Sequence, residues 1–106
     1  MHLGSPIPFE THLERLNDPL KAVMIDLRRF VLALGSNVIE EVRPHRVVYS
    51  KTINFRIFLD MMPAGDSLVL SIKSGKSAPP LTVTITNAQD AEETRSRIAE
   101  AYQRIQ

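Results

Sequence analysis

Beyond Lys51 the chain runs three times through a one-for-one alternation of apolar and polar residues, and this pattern narrows the fold more than any other feature. From Ile53 to Met61, one side takes Ile53, Phe55, Ile57, Leu59 and Met61, and the other takes Asn54, Arg56, Phe58 and Asp60. In the next segment Leu68, Leu70 and Ile72 alternate with Ser67, Val69, Ser71 and Lys73, and in the last Leu81, Val83 and Ile85 alternate with Thr82, Thr84 and Thr86. Neighbouring strand residues point to opposite faces, so a period of two marks a strand with one buried side. Successive strands of this kind predict an antiparallel sheet that is apolar on one face.

Two shorter strands are predicted ahead of these, Val38 to Arg43, closed by Pro44, and Arg46 to Lys51. Pro63-Ala64-Gly65-Asp66 is turn chemistry, and Ser74 to Pro80 reads as a loop. Helical periodicity brackets the strands. Leu20, Val23, Met24, Leu27, Phe30, Val31 and Leu34 recur at three- and four-residue steps and form one stripe. Asp18 and Pro19 suit the start of that helix, and Gly35 suits a left-handed end. A shorter helix precedes it, opened by the capping box Thr11-His12-Leu13-Glu14. Asn87 caps a final helix whose inner face is Ala91, Thr94, Ile98, Ala101, Tyr102 and Ile105. Helices and a one-sided sheet must share the apolar face. The expectation is therefore a two-layer α+β sandwich: N-terminal helices, an antiparallel meander of four to five strands, and a C-terminal helix on the same sheet face. Residues 1–8 read as an extended lead-in, and residues 9–106 as one α+β domain.

Composition restricts function more than it suggests one. With no cysteine among 106 residues, disulfides, thiolate metal sites and a cysteine nucleophile are excluded, and a reducing compartment, the cytoplasm, is expected. No apolar run approaches the roughly 20 residues of a membrane span, and the first residues lack the pattern of a signal peptide. A net charge of +1 neither implies nor excludes nucleic acid.

The placed elements carry a family likeness. A short helix with His12-Leu13 and a helix ending Phe30-Val31-Leu32-Ala33-Leu34-Gly35 are followed by Val47-Val48-Tyr49-Ser50-Lys51, Asn54-Phe55, a hairpin, Val83-Thr84-Ile85 and a terminal Ala101-Tyr102 helix. From Phe9 onward this resembles the domain of unknown function 5655 family, small domains sometimes labelled "predicted transport protein". The resemblance implies a fold, and a context in which such domains stand alone or end larger proteins, some of them nuclease-like. It implies no established activity. Members carry a longer segment with glycine and tryptophan before the last strand, whereas Ser74 to Pro80 is short and lacks tryptophan.

Catalytic motifs fail on their spacing. Gly75-Lys76-Ser77 lacks the earlier glycine of a phosphate-binding loop, Leu70 standing in its place, and Ala78-Pro79-Pro80 follows where a helix should start. His2, His12 and His45 share no element with convergent ligands, so neither a metal nor any other cofactor is expected. His12 is expected at the surface or half-buried. Glu40 and Glu41 must point to opposite faces and are expected to be solvated, as are Arg28 and Arg29 on the edge of their helix. No serine has a partnered His and Asp at recognisable spacing.

One cluster remains, the polar side of the sheet. Tyr49, Lys51, Asn54, Arg56, Phe58 and Lys73 form the candidate binding face, with Arg43, Arg46 and Lys76 near its edges. Exposed Phe58 and Val69 favour contact with a protein partner or a second copy. Rings among Arg and Lys would alternatively stack and hold single-stranded nucleic acid. A third reading is an enzyme acting on a small anion, with Tyr49 and Lys51 as its hints. A plain solvated sheet, with Arg56 or Lys73 beside Asp60, is the alternative to all three. A non-enzymatic binding or interaction module without membrane association is the reading these residues favour.

Overall fold

The computed structural model describes residues 7–51, 56–75 and 78–105. Along the chain lie α1 (Glu10–Leu13), α2 (Asp18–Leu32), β1 (Val38–Val42), β2 (Val47–Lys51), β3 (Arg56–Pro63), β4 (Leu68–Ile72), β5 (Leu81–Ile85) and α3 (Ala88–Arg104). The strands stand side by side in chain order, each antiparallel to the next. α2 packs on α3 and against β1, and α3 crosses β3, β4 and β5. The fold is the α+β meander with its helices on one sheet face. No described helix is long and apolar enough to cross a membrane.

The core lies between the layers. Leu20, Val23, Met24, Leu27 and Val31 of α2 and Ala91, Ile98 and Ala101 of α3 meet Val47, Tyr49, Leu59, Met61, Leu68, Leu70, Ile72 and Ile85 of the sheet. These are largely the residues that periodicity placed inward. Phe9 and Leu16 flank α1 and tie it into the same core.

Helix ends depart from expectation in three places. Thr11 lies inside α1 and caps nothing, because burial of Phe9 starts the helix earlier; Phe9 takes the cap position without a side-chain bond. In α2 the cap is Asn17, whose side-chain oxygen accepts from the Leu20 amide at 3.1 Å, and Asp18 and Pro19 fill the first turn. Gly35 is not a left-handed terminus, since α2 ends at Leu32 with Ala33 as a right-handed C-cap. Its small size serves a close approach instead. A Cβ there would collide with the Tyr102 hydroxyl and with Asn37 Oδ1, and these two groups are hydrogen-bonded to each other. Asn87 caps α3 as predicted, accepting from the Asp90 amide at 2.8 Å.

The left-handed glycine lies in the β3–β4 turn. Gly65 has φ of 79°, a conformation side chains with a Cβ resist. Its amide donates to Arg15 O at 2.9 Å, and its carbonyl accepts from the Asn17 amide at 3.1 Å. The turn thereby grips the linker between α1 and α2.

One irregularity changes which residues face where. Tyr49 lies opposite Leu59, but Ser50 lies opposite Ile57, so Phe58 is an extra residue in β3. Such a bulge leaves one residue unpaired and reverses the alternation beyond it.

Candidate interaction surface

The bulge turns Phe58 and Arg56 to the helix-covered side of the sheet, where Tyr49, opposite Leu59, and Lys51 also lie. Phe58 is fully buried and meets the Tyr102 ring of α3 edge-on, with centroids 5.4 Å apart. Tyr49 is fully buried as well. Lys51 reaches the last turn of α3, where its ammonium donates to Ile105 O at 3.2 Å and sits 4.3 Å from the centre of the Tyr102 ring. Arg56 is directly opposite Lys51 and so takes the same helix-covered side. Lys73, one residue past β4, keeps an outward position in the alternation. Asn54 lies outside the described residues, as do Ile53, Phe55 and Lys76. The expected open surface is thus corrected: Tyr49, Lys51, Arg56 and Phe58 take the helix-covered side, and Lys73 alone keeps an outward position.

Tyr49 belongs instead to a polar network under the helices. Its hydroxyl donates to Glu40 Oε2 at 2.8 Å. Arg28 of α2 grips the same carboxylate with two bonds, Nε to Oε2 at 2.8 Å and Nη2 to Oε1 at 2.9 Å. The Arg28 guanidinium lies 4.3 Å from the centre of the Phe9 ring. Burial, then the charge and hydrogen bond of Glu40, hold the Tyr49 phenol far above its ordinary pKa. The bond to Glu40 raises that of Arg28. The expectation that Glu40 and Arg28 are solvated is thereby corrected: their side chains, 15% and 33% exposed, close the end of the core. A signal was present: adjacent strand carboxylates take opposite faces, so one of Glu40 and Glu41 had to enter the helix layer and needed a cation there.

His12 is corrected too, being fully buried. Its Nε2 lies 2.7 Å from the Arg43 carbonyl. A carbonyl only accepts, so Nε2 carries the proton, and Nδ1 is left buried with no hydrogen-bond partner. This contact pins α1 to the β1–β2 hairpin. No three His, Cys, Asp or Glu side chains gather as a metal site among the described residues.

The true outer face follows from the strand registers. Ile39, Ser50 and Ile57 form one row across it. Glu41, Val48, Asp60, Ser71 and Thr82 form the next, and Met62, Val69 and Thr84 a third. Val48 is 3% exposed yet belongs to no part of the helix-side core, as its place in the middle of this face requires. Ile39, Ile57, Met62 and Val69 are half-buried at the two ends. Asp60 is buried and pairs with Arg46 at 3.6 Å, rather than with Arg56 or Lys73. Glu41 pairs with Arg43 at 3.0 Å, which lowers the pKa of the carboxyl. The face is thus two apolar ends around a row whose acids are neutralised by flanking arginines.

Two described clefts lie elsewhere. One of about 220 Å³ between α2 and α3 is bordered by Asp26, Glu92 and Arg95, and one of about 100 Å³ by Leu81, Arg97 and Glu100. Neither includes Tyr49 or Lys51. Compared with family models, curated proteins and solved structures, the chain matches none, so the resemblance drawn from its sequence rests on its own residues.

Proposed function

We propose that this chain is a non-enzymatic interaction module that binds a protein partner through the outer face of its sheet. The observation that carries the reading is a sheet face on which no helix packs among the described residues, with apolar ends, Ile39 and Ile57 at one and Met62 and Val69 at the other. Sheet faces with partly exposed apolar groups mark contact surfaces. Nucleic acid is the weaker fit. Its stacking rings were to be Tyr49 and Phe58, which are buried, and Arg43 and Arg46 are paired with acids. An enzyme is weaker again, since the Tyr49 hydroxyl is committed to Glu40. A cytoplasmic location belongs to the same proposal and rests on the cysteine-free sequence.

A photo-crosslinking side chain in place of Met62, with the same group in place of exposed Arg29 as control, tests the proposal in cells. The expected result is a protein adduct from position 62 that is absent from position 29. Equal labelling at both positions, or adducts to nucleic acid alone, overturns it.

A further inference from the structure

β5 closes one side of the sheet and pairs with β4 alone. Two hydrogen bonds decide which of its backbone groups are free. The Lys73 amide donates to Phe58 O at 2.9 Å, and the Ala64 amide to Ser67 O at 2.9 Å; both pairs continue the register of β3 on β4. Bonded pairs alternate along an antiparallel ladder. Ser71 and Val69 therefore bond to β3, and Leu68, Leu70 and Ile72 turn to β5, where they meet Ile85, Val83 and Leu81. Thr82 and Thr84 are left with N–H and C=O directed away from the sheet. Among the described residues no strand lies beyond them.

Proteins usually blunt such an edge with charge, proline or a bulge. The opposite edge, β1, is blunted. Pairing β1 with its own copy would set Glu40 against Glu40, and Arg28 holds that carboxylate inward. Between Leu81 and Ile85, β5 carries none of these devices; Pro79 and Pro80 stand just before it and leave Thr82 and Thr84 as its free ladder positions. Its sequence, Leu81-Thr82-Val83-Thr84-Ile85, has no charge and reads alike in both directions by residue class. Leu81 at its start is one of two exposed large apolar side chains among the described residues, 38% exposed.

We infer that β5 pairs antiparallel with β5 of a second copy, about a twofold axis at Val83. In that register Thr82 and Thr84 of the second copy exchange both backbone bonds, and so do their counterparts. Val83 meets Val83 at the intervening non-bonded pair, and Leu81 is covered by Ile85. Threonine thus faces threonine and apolar faces apolar, with no like charges opposed. The axis makes the sheet continuous and joins the two outer faces into one surface. This inference goes beyond the proposed partner face and does not depend on it.

The test is the mass of the full chain across concentration, by sedimentation equilibrium, with circular dichroism to check the fold. Wild type should rise from monomer toward dimer, and the Thr82 and Thr84 amides should gain exchange protection as it does. Thr84→Pro removes an outward N–H without breaking a β4 bond, and should weaken dimerisation by about tenfold or more. Thr82→Lys with Thr84→Lys opposes like charges and should do the same. Thr82→Lys with Thr84→Glu opposes unlike charges and should restore the dimer. Met62→Asp should leave the mass unchanged while removing the protein adducts of a photo-crosslinking group placed at its neighbour Val69, so the two proposals fail separately. A chain that stays monomeric at millimolar concentration, or a dimer indifferent to Thr84→Pro, overturns the inference.

Discussion

The carboxylate of Glu40 is shared between a guanidinium and a phenol, and the phenol pays for that arrangement only at alkaline pH. Folded, Tyr49 holds its proton far more tightly than the unfolded chain does, where its pKa is about 10. The stabilisation is complete below that value, where both states are protonated. Above it the unfolded chain gains by ionising and the folded chain does not, so stability falls as pH rises. Denaturant titration should show this loss above about pH 10, and tyrosinate absorbance from Tyr49 should appear only with unfolding. Tyr49→Phe should lower stability near neutrality by about 1 kcal/mol and flatten its share of the alkaline slope. Gly35 makes the complementary case of a residue retained for smallness. Gly35→Ala drives a methyl into the Tyr102 hydroxyl, and that ring cannot retreat because Phe58 and Lys51 pack on it. A loss of about 1–3 kcal/mol is expected in the same titration.

At the level of elements, α3 is the most self-sufficient. Asn87 accepts from the Asp90 amide, while the Asp90 carboxylate takes the Thr86 amide and hydroxyl at 3.0 and 2.9 Å and has its pKa lowered by them. Asn87→Ala should cost about 1 kcal/mol, read as a lower denaturation midpoint with an unchanged slope. The cap, the inner face of α3, the stripe of α2 and the inward side of β4 were all legible, because each is a local pattern. The candidate surface was not, because alternation is legible only while the register is unbroken. Ile57-Phe58-Leu59 is a run of three apolar residues that alternation had to split, and the run was the trace of the bulge. Phe58 went into the core and Ile57 onto the outer face. Glu40 and Arg28 lie on consecutive elements, but their pairing follows from the docking of α2 on β1, which periodicity does not encode.

Taken whole, the molecule leaves two surfaces incompletely used, the outer sheet face and the β5 edge, and they meet along Thr82 and Thr84. Its other side is closed by long-range ties, one of which links the α1–α2 linker to the β3–β4 turn. In Gly65→Ala the left-handed backbone is strained by about 1–2 kcal/mol. Amide exchange at position 65 and at Asn17 should quicken together in that variant, with β2 amides less affected; independent changes would show that the two sites do not open as a unit. The grip also bears on the order in which the chain takes shape as it leaves the ribosome. The linker around Leu16 is made early, but its backbone bonds to the β3–β4 turn wait until Gly65 has emerged. α1 is a helix of only four residues, too short to persist by itself. α1 can meet Arg28 and Arg43 before then, but the linker behind it is secured only once the β3–β4 turn has formed.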